Sequence, residues 1–322
     1  MTDDKLADKR SKYSSQFETE AIEGDEADLH KCLTTCNKNP GHTDFIPVRK
    51  FSLKDLPKPY RFDDVFDYIN VLSDLTVRVH VQHGCAARSD NPFKGKARFR
   101  TGTGKVSNVC KYVDGLDKYE RQNVNNRKCP CPKCQPSDTP SHVWWEITIE
   151  TAAHVVSEET DTAKVTLRFF FDSEDSRFVV LDHVSISEFS KERDRCQIKC
   201  VTCDESIGKR LEDLNEKIDD LWRTTYYKYS SLKDVDRLAI IISHPHGCAK
   251  QISIGRWTSR TKVGDCYSQF TYTTCTCPGS SGTYVLLIGY SGLRGKDPIL
   301  HQGSENSGLN RSAIGWVLPA KV

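Results

Sequence analysis

The sequence predicts an all-β protein, a sandwich or barrel, with one long helix inserted between strands and a short helix leading in. Three observations carry this. Short β-branched runs recur from Thr76 onward, turn residues separate them, and only two segments show apolar residues at helical spacing.

The elements follow in order. Residues 1–45 are rich in Asp, Glu, Lys and Ser, and residues 1–60 read as a flexible N-terminal arm. After Pro57-Lys58-Pro59, the positions Phe62, Val65, Phe66, Ile69 and Leu72 repeat at helical spacing and predict a short helix. Strands are expected at 76–81, 144–150, 163–171, 178–181, 238–242, 251–254, 269–274 and 284–288. Between them Ile207, Leu211, Leu214, Ile218 and Leu221 form one apolar stripe, an amphipathic helix over about 207–228 that would pack on the flank of the β structure. The polar stretch from Cys110 to Ser141 reads as a long loop.

Composition narrows the function classes. Forty-six basic and forty-four acidic residues leave a formal net charge of +2, which gives neither a nucleic-acid nor a membrane footprint. The opening residues are polar with no apolar signal region, and no apolar run spans a bilayer, so a cytoplasmic location is expected. The fourteen cysteines are then expected as free thiols with one metal site, a disulfide framework being the alternative.

Chemistry is concentrated in two motifs. Ser281 sits in Thr276-Cys277-Pro278-Gly279-Ser280-Ser281-Gly282, directly before an apolar strand, and His154 sits in Thr151-Ala152-Ala153-His154. A serine hydroxyl needs an imidazole to take its proton, and small neighbours let backbone N–H groups turn toward an oxyanion. With Thr101-Gly102-Thr103-Gly104 upstream, the ordered set resembles the chymotrypsin-like serine proteases over about residues 75–318.

That resemblance implies two six-stranded antiparallel β-barrels, the first over about 75–205 and the second over about 236–318, in a protease domain of residues 61–322. It makes Ser281 the nucleophile, His154 the general base, and the N–H groups of Gly279 and Ser281 the oxyanion hole. For the carboxylate, family spacing favours Asp204, with Asp236 and then Asp182 as alternatives. His301 in Leu300-His301-Gln302-Gly303 and Thr276 match the pocket residues of glutamyl endopeptidases, which implies cleavage after Glu or Gln. Cys275 occupies the position of the acidic residue in trypsin-type pockets, so Lys/Arg preference is not expected.

No catalytic cofactor is implied. Cys129, Cys131 and Cys134 could hold a structural zinc, closed by Cys110 or His142, while Cys196, Cys200 and Cys203 form a second cluster. The expected partner is a protein or peptide substrate. The alternative is a catalytically inactive protease-fold module that binds proteins through the Cys-rich loop.

Overall fold

The computed structural model describes residues 16–23, 26–83, 98–117, 127–156, 165–290, 298–305 and 307–317. The N-terminal part holds β1 (Gln16–Phe17), β2 (Glu20–Glu23), α1 (Glu26–Thr34) and β3 (Phe45–Pro47), followed by α2 (Asp63–Asp74). The next group of strands is β4 (Thr76–His83), β5 (Arg98–Val113), β6 (Leu116–Asp117) and β7 (Val143–Thr151). One helical turn, α3 (Ala153–Val156), leads on to β8 (Val165–Phe169), β9 (Val179–Leu181), β10 (Val184–Ser190) and β11 (Arg195–Thr202). Helix α4 (Glu205–Tyr229) then precedes β12 (Leu238–Ser243), β13 (Gln251–Val263), β14 (Tyr267–Tyr272), β15 (Val285–Leu287), β16 (His301–Ser304), β17 (Asn310–Ser312) and β18 (Gly315–Trp316).

These strands make two antiparallel sheets. One runs β10-β11-β7-β5-β4-β8-β9, with β2 and β6 also on β5; the other runs β1-β16-β17-β14-β13-β12-β15, with β18 on β14 and β3 on β13. Among the described residues each has nine strands rather than six. The excess comes partly from residues 1–60: their described portion is not a loose arm, because β2 joins the first sheet while β1 and β3 join the second.

Strand β12 explains how the two halves share their interior. Its run Leu-Ala-Ile-Ile-Ile-Ser is buried throughout. Side chains alternate across a strand, so Ile240 and Ile242 enter the larger core with Val77, Val79, Ile147 and Leu167. Ala239 and Ile241 enter the other, with Trp257, Phe270 and Tyr272. A strand apolar on both faces thus joins two cores.

Helix α4 takes its N-cap from Asp204, whose carboxylate accepts the Ser206 and Ile207 N–H groups. It crosses the first sheet so closely that a Cβ on Gly208 would lie 2.2 Å from Trp145 Cδ2, and Trp145 Nε1 donates to Glu212 at 3.0 Å. Helix α2 packs against it as well. The expected loop from Cys110 differs too: Cys110 to Val113 continue β5, because they pair with β7. No helix among the described residues is long and apolar enough to cross a membrane.

Candidate active site

Strand β7 runs straight into the one-turn helix that carries His154. Its neighbour β11 pairs in the register Cys196 opposite Thr151, so the β10–β11 turn, just before Cys196, reaches the same end of the sheet as His154. That turn carries Asp194, in left-handed backbone with φ 51°. Its carboxylate receives His154 Nδ1 at 2.8 Å to either oxygen, and one oxygen also accepts the His154 backbone N–H at 3.0 Å. An anion held this way fixes the tautomer that leaves Nε2 free to accept a proton.

Asp194, not Asp204, is therefore the partner of His154. Asp204 is committed to the α4 cap, and the Ser206 hydroxyl together with the helix N–H groups holds its carboxyl below the usual range. Asp236 lies beside Tyr60 and Asp182 just after β9. Sequence reasoning missed Asp194 because Lys191-Glu192-Arg193-Asp194-Arg195 reads as an ordinary charged hairpin tip. Only the β7–β11 register gives it meaning. A buried Arg195–Glu150 pair, with bonds of 2.8 and 2.9 Å, ties β11 to β7 next to that tip.

Ser281 comes from the second sheet's side of the cleft. Its carbonyl accepts Thr103 N–H at 2.8 Å, and a Cβ on Gly102 would press on both Val155 and that carbonyl. The glycine strand thus lies between the His154 turn and the serine loop with no room for a side chain. Ser281 is buried, and its hydroxyl donates to Gln302 O at 3.2 Å. His154 Nε2 has no hydrogen-bond partner among the described residues. Gly279 adopts φ +95°, and a Cβ there would lie 2.6 Å from His244 O, so only glycine fits this turn.

The cleft between the sheets contains the protein's own residues 16–20. Gln16 and Phe17 pair antiparallel with Ser304 and Gly303 of β16. Phe17 stacks on the His154 ring with centroids 4.2 Å apart. The Glu18 carbonyl accepts the Gly279 N–H at 2.9 Å. Glu20 then pairs with Thr101 of β5, so the segment crosses from one sheet to the other.

The Glu18 side chain, 3% exposed, fills a polar pocket. One carboxylate oxygen meets His301 Nε2 at 2.9 Å; the other meets Lys38 Nζ and Ser304 Oγ. Lys38 also reaches Thr276 Oγ1 at 3.0 Å and Asn310 Oδ1 at 2.9 Å. Tyr272 Oη lies 2.6 Å from His301 Nδ1. Burial, with Lys38 and His154 nearby, pushes His301 well below its ordinary value. The network then fits a neutral imidazole: Nε2–H donates to the carboxylate and Nδ1 accepts from tyrosine. Lys38, pushed down to about 8 by burial, supplies the positive charge.

His301 and Thr276 thus both face this pocket. Lys38 was not foreseen, because it comes from the segment read as an arm.

Every cysteine among the described residues is free of disulfides. Cys129, Cys131 and Cys134 meet Cys203, with all four sulfurs within 4.8 Å of one another. Backbone N–H groups of Cys131 and Ser141 point at the sulfurs of Cys129 and Cys134, each at 3.4 Å. Four thiolates so arranged suit a closed tetrahedral zinc site. The fourth member is Cys203 rather than Cys110 or His142, whose ring bonds Asp114 at 2.7 Å. Cys196 and Cys200 lie inside the core instead.

No family model matches the chain. No curated protein matches it either. Among solved structures it is similar to an HtrA-type protease, AlgW, with a decapeptide, at a TM-score of 0.38 and 11% identity, over 78% of this chain and 63% of that one. The chain thus spans less than two thirds of that structure's chain. The chain's own strands form two antiparallel sheets.

Proposed function

We propose that the protein is a serine endopeptidase that cleaves peptide bonds after Glu. The observation that carries this reading is the seating of Glu18: its carbonyl on the Gly279 N–H, its carboxylate on His301 and Lys38, and the preceding Phe17 on the His154 ring. A peptide held there presents one carbonyl to the serine loop and one acidic side chain to a pocket built for it.

In the proposed mechanism Ser281 Oγ attacks that carbonyl while His154 Nε2 takes its proton. Asp194 holds the imidazole and stabilises the charge it gains. The N–H groups of Gly279 and Ser281 stabilise the oxyanion, and the protonated His154 gives its proton to the leaving amine. Water then hydrolyses the acyl-enzyme by the same route in reverse. The step requires the Ser281 hydroxyl to leave Gln302 O, a bond long at 3.2 Å, and turn toward the imidazole.

A catalytically silent module is the second reading, and that same serine orientation favours it. A peptide series differing only in the residue before the cleaved bond separates the two. Hydrolysis after Glu that is lost in Ser281→Ala and His154→Ala supports the protease. An enzyme that hydrolyses no member of the series, with residues 16–20 displaced by Phe17→Asp, supports the module.

A further inference from the structure

We propose that the Glu18–Thr19 bond is the chain's own first substrate. This rests on the protease reading. A segment merely covering an active site has no reason to pair with a strand on either side and fill the acidic pocket between, yet residues 16–20 do all three. They add a strand to β16 before the bond and pair with β5 after it, and between these the Glu18 carbonyl sits on the Gly279 N–H with its side chain fully coordinated. Strand addition on both sides of a carbonyl is how an extended substrate binds a sheet edge. Because the segment is tethered, its local concentration exceeds that of any free peptide.

The Ser281 oxygen bonds to the Glu18 carbonyl carbon, the bond to the Thr19 nitrogen breaks, and the serine proton passes through His154 to the Thr19 amine. Water then splits the ester, leaving a carboxylate on Glu18, a new amino terminus at Thr19 and a free serine. In the released portion Phe17 is half exposed, while the Glu18 carboxylate is held by His301 and Lys38 until the product dissociates.

The full chain and its Ser281→Ala, Glu18→Lys and Phe17→Asp variants are followed by intact mass and N-terminal sequencing, alongside hydrolysis of a Glu-containing chromogenic peptide. The expected result is a wild-type chain that begins at Thr19 while Ser281→Ala and Glu18→Lys remain uncut. An uncut wild type that hydrolyses the peptide overturns self-cleavage and leaves the protease reading intact. So does an uncut, silent wild type whose Phe17→Asp variant is active, since the segment is then a plug. An uncut wild type with no peptide hydrolysis in any form overturns the protease reading itself.

A separate observation carries a second proposal: the structure assigns a zinc site to Cys36, His42, His246 and Cys277. Their ligand atoms lie within 4.8 Å of one another. The Cys36 and Cys277 sulfurs are 3.6 Å apart, and Cys277 Sγ is 3.4 Å from His42 Nε2. A tetrahedral ion with Zn–S of about 2.3 Å and Zn–N of about 2.0 Å needs separations of about 3.8 and 3.5 Å. His246 Nδ1 bonds the Glu20 carboxylate at 2.6 Å, while its buried Nε2 has no hydrogen-bond partner among the described residues. A carboxylate on one nitrogen is the usual means of aiming the other at zinc. Asn39 adds an N–H bond to each sulfur, at 3.5 Å to Cys36 and 3.1 Å to Cys277.

The site would fasten the 36–42 turn, which delivers Lys38 to the pocket, onto the loop two residues before Gly279. Metal analysis and cobalt titration of the whole protein, purified with reductant, test it. Expected are two tightly held ions per chain, of which Cys36→Ser and His42→Ala each remove one and Cys203→Ser removes the other. Near-ultraviolet circular dichroism establishes that the variants are folded. A folded Cys36→Ser variant with undiminished metal content, or a Cys36–Cys277 disulfide in the reduced preparation, overturns it.

Discussion

Lys38 and His301 grip opposite oxygens of one carboxylate, that of Glu18, although one belongs to the N-terminal extension and the other to the far end of the second sheet. A buried carboxylate is costly to desolvate unless charge and hydrogen bonds replace water. Here the ammonium provides the charge and the neutral imidazole a directed N–H.

Lys38→Met removes that charge. Hydrogen bonds to charged groups are worth about 1.5–3 kcal/mol, so kcat/KM for a Glu peptide falls roughly ten- to hundred-fold while a Gln peptide changes little. Parallel kinetics on the two peptides check this. His301→Leu, which removes the N–H donor, weakens both.

Asp194→Asn leaves the shape of the site intact but lets the amide favour the wrong imidazole tautomer. A loss of about four orders of magnitude in kcat is expected by analogy with the Ser-His-Asp template. Asp204→Ala leaves kcat unchanged and instead costs about 1 kcal/mol of stability, through the lost helix cap. Turnover and urea unfolding on the same two variants distinguish the roles.

The Arg195–Glu150 pair is almost fully enclosed, with side chains 9% and 6% exposed. Arg195→Met strands a buried carboxylate, so a loss of about 3–5 kcal/mol is expected. The double variant with Glu150→Met recovers part of it. Because Arg195 follows Asp194 directly, the single variant also lowers kcat, read in the fraction that remains folded.

Lys250 is wholly buried and donates to Ser73 O at 2.6 Å and to Asp172 at 2.8 Å. It ties the start of β13 to the turn after β8. Asp172→Ala leaves the ammonium without its hydrogen-bonded counter-charge and is expected to cost about 3 kcal/mol, measured as an earlier urea midpoint with an unchanged slope.

The sequence by itself determined the β-rich class and helices α2 and α4, and it marked the ordered pair His154 and Ser281, since apolar periodicity and short motifs are local properties of a chain; α1, in the segment read as an arm, it did not reveal. It also marked His301, Thr276 and three of the four clustered thiols. Only tertiary structure decided which aspartate meets His154, because that depends on β7–β11 register rather than on distance along the chain. The same holds for Cys203, which reaches its partners from another strand's end, and for Lys38. An isolated charged segment reads as solvated until a pocket far away in sequence gives its residues something to bind.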